Sequence, residues 1–205
     1  MSSTLIGIIA GFIGLFGYLP YIITTLQGKT KPNRATWWVW GVLGVIQVVS
    51  YYYSESKIDS AIWLLVCYTV CQIIMAILSI KFGEGGWDKL DKMCLVGVIF
   101  SILLWRWFNS ASLTLLFTLV IDTFGAVPTV VKSYYEPHKE SSFSWTIFLL
   151  ANSFNLLAIG EWSLRSAYPF YLFCLSLTLA TLLNRSKITA QFNRRKTKKH
   201  AGEIR

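Results

Sequence analysis

Seven stretches of this chain are almost continuously apolar, and its charged residues collect between them. The runs lie near Thr4–Leu26, Thr36–Tyr53, Ser60–Ile80, Met93–Phe108, Ser112–Tyr134, Phe143–Gly160 and Tyr168–Asn184. A helix rises about 1.5 Å per residue, so about 20 apolar residues cross a hydrocarbon core. The fourth run is the shortest, and Trp105 and Trp107 close it as interfacial anchors do. Membrane-spanning strands would alternate apolar and polar residues, and none of these runs does. The pattern predicts an all-α membrane protein with seven transmembrane helices.

Composition sharpens this. Of the 205 residues, 54% are hydrophobic and 14% charged, where an ordinary soluble domain carries about a quarter charged. The net charge of +9 at first suggests nucleic acid, but its placement argues otherwise. The tail after Asn184 holds Arg185, Lys187, Arg194, Arg195, Lys196, Lys198, Lys199 and Arg205 against Glu203, a local +7 that leaves only +2 elsewhere. A basic tail behind a last span is a cytoplasmic retention signal, with affinity for anionic lipid head groups as an addition. With seven spans the N-terminus is then expected outside. The loop bearing Lys29, Lys31 and Arg34 faces the cytoplasm, and Glu55, Lys57 and Asp59 face out. No Lys or Arg precedes Lys29, so the first run is expected to stay as a membrane helix rather than be cleaved. Cys67, Cys71, Cys94 and Cys174 fall in or beside spans and form no CxxC, while His138 and His200 lie in a loop and the tail. Neither a metal nor another cofactor is expected from that distribution.

Laying Phe16 over Phe124, and moving every other residue by the same offset, sets the first three runs on the last three without a gap. Gly17 then meets Gly125, Pro20 meets Pro128, Lys31 meets Lys139, Thr36 meets Ser144, Trp37 meets Trp145 and Gln47 meets Asn155. Three helices reverse the direction of the chain across a bilayer, and a fourth restores it. The expected organisation is therefore 1–82 as a first three-helix bundle, 83–109 as a loop and linker helix, 110–184 as a second bundle, and 185–205 as a basic cytoplasmic tail. The two bundles are expected to be parallel repeats about an axis along the membrane normal.

Two segments carry a family resemblance: LPYIITTLQGKTKPNRATWWVWG (Leu19–Gly41) and VPTVVKSYYEPHKESSFSWTIFLLAN (Val127–Asn152). Each places Pro in a first helix, a basic loop, then Ser or Thr and an aromatic at the start of a second. In this the chain resembles the SWEET and PQ-loop superfamily of three-plus-one-plus-three proteins. It is most similar to a bacterial group with KPNRATWW-like, W-x-x-x-D-x-x-C and D-x-x-x-x-x-P-T-x-x-K segments. Here these are Lys31–Trp38, Trp87 to Asp91 to Cys94, and Asp122 to Pro128, Thr129 and Lys132. The resemblance implies a transporter of a small polar solute that alternates access by rocking one bundle against the other. It equally admits a receptor or trafficking protein without transport. The sequence departs from the superfamily in having Tyr21 and Thr129 after the two prolines. Where sugar-carrying relatives place a mid-helix Asn, it has Cys67, Tyr68, Cys71 and Gln72, then Cys174, Ser176 and Thr178. The resemblance therefore does not carry a sugar over to this chain.

Candidate chemistry lies in the polar residues at mid-membrane depth. Asp122 is ten residues into the fifth run, about 15 Å down, and intramembrane ionisable residues face a cavity or a partner. Asn152 and Asn155 share a face three apart on the sixth run, and Gln47 reaches a similar depth in the second. Together they predict a central cavity. Asp122 is expected to face it within reach of Asn152 or Asn155, and to couple transport to protons. Gln47 and Gln72 fit either a substrate site or interhelical packing. Trp37, Trp38 and Trp145 read as an aromatic belt, while Trp40, a turn deeper, is belt, packing or a stacking platform for substrate. Pro20 and Pro128 break the helix ladder and either bend it or act as hinges. Asp122 has no second intramembrane carboxylate, and no Ser-His or Cys-His pair lies in the spans, so an enzyme is not expected.

Overall fold

The computed structural model of the chain describes residues 3–54, 60–85, 88–107, 111–160, 162 and 166–203. It is all-helical: α1 (Ser3–Leu26), α2 (Arg34–Ser54), α3 (Ser60–Phe82), α4 (Lys89–Trp107), α5 (Ala111–Tyr135), α6 (Ser142–Leu157) and α7 (Ala167–Glu203). A short 3-10 turn, Pro137–Lys139, lies between α5 and α6. Glu55, Lys57, Asp59 and Trp87 lie outside the described residues.

The helices follow the apolar runs closely, with three differences. α4 begins four residues before Met93, because the polar Asp91 belongs to the helix and is buried against Asn33. α6 stops at Leu157 rather than Gly160, where the Ala158 N–H turns back to the carbonyls of Phe154 and Asn155. α7 continues through the basic segment to Glu203; that stretch is rich in Arg and Lys, both good helix formers, and has no Pro to stop it.

Among the described residues three helical segments are long and apolar enough to cross a membrane: Leu5–Leu26, Leu116–Tyr135 and Ala167–Arg185. A shorter apolar stretch, Val66–Phe82, joins them. Seven spans are predicted from the sequence, and α6, at 16 residues, is the shortest of the helices. Exposure points the same way. On α1, Leu5, Ile8, Phe12, Phe16, Leu19, Ile23 and Leu26 are all exposed at helical spacing. On α4, Met93, Val96, Ile99, Phe100 and Leu103 do the same. In water such stripes would be a large apolar patch without a partner, whereas lipid accommodates them. Asp122, Lys132 and Glu140, by contrast, are buried. Apolar outside and polar inside is the arrangement of a membrane protein.

α1 packs on α3 and α6, α5 packs on α7 and α2, α2 pairs with α3 and α6 with α7, and α4 packs chiefly on α5. Close approaches recur at matched positions of the repeat. A Cβ on Gly17 would lie 2.7 Å from Phe148 and 3.2 Å from Ile147; on Gly125 it would lie 2.6 Å from Val39 and 3.8 Å from Trp40. The helix starts match as well. Asn33 Oδ1 accepts the Thr36 N–H at 3.0 Å, and Ser141 Oγ accepts the Ser144 N–H at 3.4 Å. Each satisfies one of the orphan donors of a first helical turn.

The loops between α1 and α2, α3 and α4, and α5 and α6 are stapled together at one end of the bundle. α1 ends in a glycine-capped turn. Gly28 has a positive φ, which lets its own N–H reach the Thr25 carbonyl while the Lys29 N–H reaches Thr24. The Lys31 N–H then bonds the Lys139 carbonyl at 2.9 Å. Arg34 donates to the carbonyls of Ser79 and Gly85, and the Glu84 N–H bonds the Pro32 carbonyl. Lys132 pairs with Glu140 at 2.5 Å and also donates to the Lys31 carbonyl. Thr129 and Thr36 share a hydroxyl hydrogen bond of 2.9 Å, tying α5 to α2.

Candidate functional site

A cavity of about 360 Å³ lies among the helices, lined from every one but α4. α1 contributes Gly14 and Tyr18, and α2 contributes Trp37, Trp40 and Gln47. Tyr68, Thr69 and Gln72 come from α3, and Asp122 comes from α5. Trp145, Phe148, Ala151 and Asn152 on α6 face Tyr168, Leu172, Leu175 and Ser176 on α7.

The walls are aromatic and interlocked. Tyr18 meets Phe148 at 5.1 Å between ring centroids, Phe148 meets Trp145 at 5.4 Å, and Trp145 meets Trp40 at 6.1 Å. Trp40 meets Trp37 at 5.2 Å, and Trp37 returns to Tyr18 at 6.2 Å, closing a circuit of five rings. Every contact is edge-to-face, the geometry favoured by the ring quadrupole. Tyr68 joins at Tyr18 and places its hydroxyl over Gly14, 3.0 Å from the Gly11 carbonyl, where any side chain on Gly14 would displace it.

Two buried carboxylates orient two of these tryptophans. Asp122 Oδ1 accepts the Trp40 indole N–H at 2.7 Å and the Tyr171 hydroxyl at 3.3 Å, and Oδ2 accepts the Tyr168 hydroxyl at 2.7 Å. Tyr168 in turn accepts the Gln47 amide at 3.4 Å. Glu140 Oε2 accepts the Trp145 indole N–H at 3.2 Å and the Tyr21 hydroxyl at 2.7 Å. An indole nitrogen only donates, so Oδ1 of Asp122 accepts whatever the carboxyl's protonation. A proton on Oδ2 would turn the hydrogen bond from Tyr168 round, because the protonated oxygen would then donate to that hydroxyl.

Outside the spans, Lys139 lies between Glu136 at 2.6 Å and Glu84 at 3.0 Å. The hydrogen bond from Lys139 holds the Glu136 carboxyl below its ordinary value. The bonds to Glu136 and Glu84 hold the Lys139 ammonium above its own.

Asp122, Trp40, Gln47, Gln72 and Asn152, all singled out from the sequence, line the cavity. Asn155 does not. Three residues past Asn152 it is turned about 60° round the helix and displaced by nearly a turn, so the expected pair enters as one residue. Nor does Asn152 reach Asp122: its amide donates to the Leu172 carbonyl and to Ser176 Oγ on α7. Asp122 is instead satisfied by Trp40 and the two tyrosines. Gln72 is seated over Gly44, whose missing side chain leaves room for its amide oxygen. Pro20 and Pro128 lie inside continuous helices and away from the cavity lining.

The aromatic belt is overturned for Trp37 and Trp145, which are 1% and 4% exposed and form cavity wall; Trp38 alone of the three is exposed, at 45%. Sequence reasoning passed over Tyr168 and Tyr171, whose spacing of three puts both hydroxyls on one helix face. It also passed over Tyr18 and the interior role of Glu140, and marked Tyr68 only as standing where sugar-carrying relatives place an Asn. No family model, curated protein or solved structure matches the chain.

Proposed function

We propose that this chain is a seven-helix membrane transporter of three-plus-one-plus-three build. It moves a small polar molecule by alternating access between 1–82 and 110–184, with α4 as the linker. One observation carries the reading: an intramembrane carboxylate, Asp122, lines a cavity to which both halves contribute, and its hydrogen bonds run from α5 to α2 and α7. Ionisable groups are costly at that depth and persist where a cavity or pathway uses them.

The parallel-repeat build draws support from the matched close approaches at Gly17 and Gly125, the matched caps at Asn33 and Ser141, and the direct Lys31–Lys139 bond. A residue touches its own repeat counterpart only near the axis that relates the two. In this reading the stapled loops close the cytoplasmic end, and Pro20 and Pro128 absorb the bending of α1 and α5 as the halves rock. Protonation of Asp122, through Tyr168 and Gln47, shifts the α5 contact with α2 and α7 and so biases one state over the other.

The test is reconstitution into proteoliposomes with an imposed pH gradient. Asp122→Asn keeps the shape and removes the titration. Solute flux should lose its pH dependence and fall by about tenfold or more, while solute binding is largely retained. An Asn variant with unchanged pH dependence would remove Asp122 from coupling. Retained binding without flux in the unaltered protein would favour a SWEET-like receptor instead.

A further inference from the structure

We infer that the cavity is built for a compact organic monocation, such as a quaternary ammonium or a cationic heteroaromatic ring, carrying no acidic group. This deepens the transporter reading by naming the solute class, and rests on that reading for movement though not for binding.

The charge inventory comes first. The lining holds one carboxylate, Asp122, and no Lys, Arg or His. The buried base on the same helix, Lys132, is committed to Glu140 and the Lys31 carbonyl. A solute bearing a carboxylate or phosphate, zwitterions included, would bring an anion into the cavity beside another with no cation to meet it. Burying such an unpaired charge is heavily penalised. A neutral polyol would add no second anion, but it would leave the negative charge of Asp122 without a counter-charge. A cation compensates it. Of the roughly four acceptor positions on a carboxylate, Trp40, Tyr168 and Tyr171 occupy three.

The walls make the same choice independently. Rings attract cations to their faces and repel anions from them. Here Tyr18, Trp37, Trp40, Trp145 and Phe148, linked ring to ring, all line the cavity. Their edge-to-face order holds the rings at fixed angles, so the aromatic surface is formed before any solute enters. The volume of the cavity lies within the ordinary range for small-molecule sites.

Three probes sharing one bulky head separate charge from shape: choline, its neutral carbon isostere 3,3-dimethylbutan-1-ol, and the zwitterion glycine betaine. Binding to the purified full chain in detergent is followed at one fixed pH by calorimetry and by quenching of tryptophan fluorescence. Choline should bind at least about tenfold more tightly than either of the others. Asp122→Asn should erase that preference. Phe148→Leu, which leaves the Asp122 hydrogen bonds intact, should reduce it and so covers the case in which the Asn variant unfolds. Equal or tighter binding of the alcohol or of betaine overturns the inference. So does an absence of millimolar binding by choline, tetraethylammonium and N-methylpyridinium alike. Choline binding without flux in proteoliposomes would leave the cation site standing and remove the transporter. Flux of a neutral solute without choline binding would do the reverse.

Discussion

At the scale of single residues, the interior is organised by two carboxylates that each hold a tryptophan: Asp122 with Trp40, and Glu140 with Trp145. A hydrogen bond to a charged group is worth about 1.5–3 kcal/mol. Trp40→Phe removes the indole donor and keeps an aromatic ring, so it should lower stability in detergent by about that amount. Thermal or denaturant unfolding checks this, and an unchanged midpoint would mean that Tyr168 and Tyr171 satisfy Asp122 alone. At the loop end, Glu136 titrates below its ordinary value because Lys139 donates to it. The resulting stabilisation is present above the unfolded Glu value and disappears as pH falls through the lower folded one. For Lys139, whose folded value is raised, the contribution is present below the unfolded Lys value and lost as pH rises through the folded one. An NMR titration should place the Glu136 carboxyl higher in Lys139→Gln than in the parent chain. Equal values in the two would remove the pair from the loop's stability.

Between elements, glycine decides how closely helices approach. Gly17 lets α1 take Phe148 of α6, and Gly125 lets α5 take Val39 of α2. Overpacking such a contact costs about 1–3 kcal/mol, so Gly17→Ala and Gly125→Ala should each destabilise by an amount in that range. Gly7 provides the control, because a Cβ there meets Ala158 at an ordinary 3.9 Å. Gly7→Ala should leave stability unchanged or slightly raised. Equal effects at Gly7 and Gly17 would show that helix propensity, not close approach, governs these sites. The motif segments gain physical roles at this scale too. Within KPNR, the Pro32 carbonyl bonds Glu84, Asn33 caps α2 and holds Asp91, and Arg34 caps the end of α3. Those residues fasten helix ends rather than meet a solute.

For the whole molecule, the cavity draws its lining from six helices, with α4 alone left out among the described residues. Under the offset that lays Gly17 on Gly125, Asp122 falls on Gly14, and both line the cavity. The space over Gly14 is filled by the Tyr68 hydroxyl, whereas the equivalent position on α5 supplies a carboxylate. Orientation is open to direct measurement, and the +7 tail predicts it. A cysteine at Lys29, an exposed loop position, should be labelled only after the membrane is opened, and a cysteine at Lys57 should be labelled on intact cells. Because both cysteines would report on one topology, labelling of Lys29 from outside would reverse the whole arrangement.

The sequence by itself determined the elements and the depth of the polar groups. Apolar runs a membrane's width long leave helix as the way to satisfy their backbone, and charge between the runs marks the ends. Gly, Pro and Trp recur in the same order in the first and last three runs. Tertiary structure alone decided which polar groups meet. Asp122 and Asn152 both line the cavity, yet Asp122 turned to tyrosines on α7 and Asn152 to a carbonyl and a serine on the same helix. Helical period fixes the face on which a side chain stands, but which neighbour that face meets depends on how helices distant in sequence pack. The same reason moved Trp37 and Trp145 from the expected belt into the cavity wall: position along a span sets depth, and only packing separates lipid from interior.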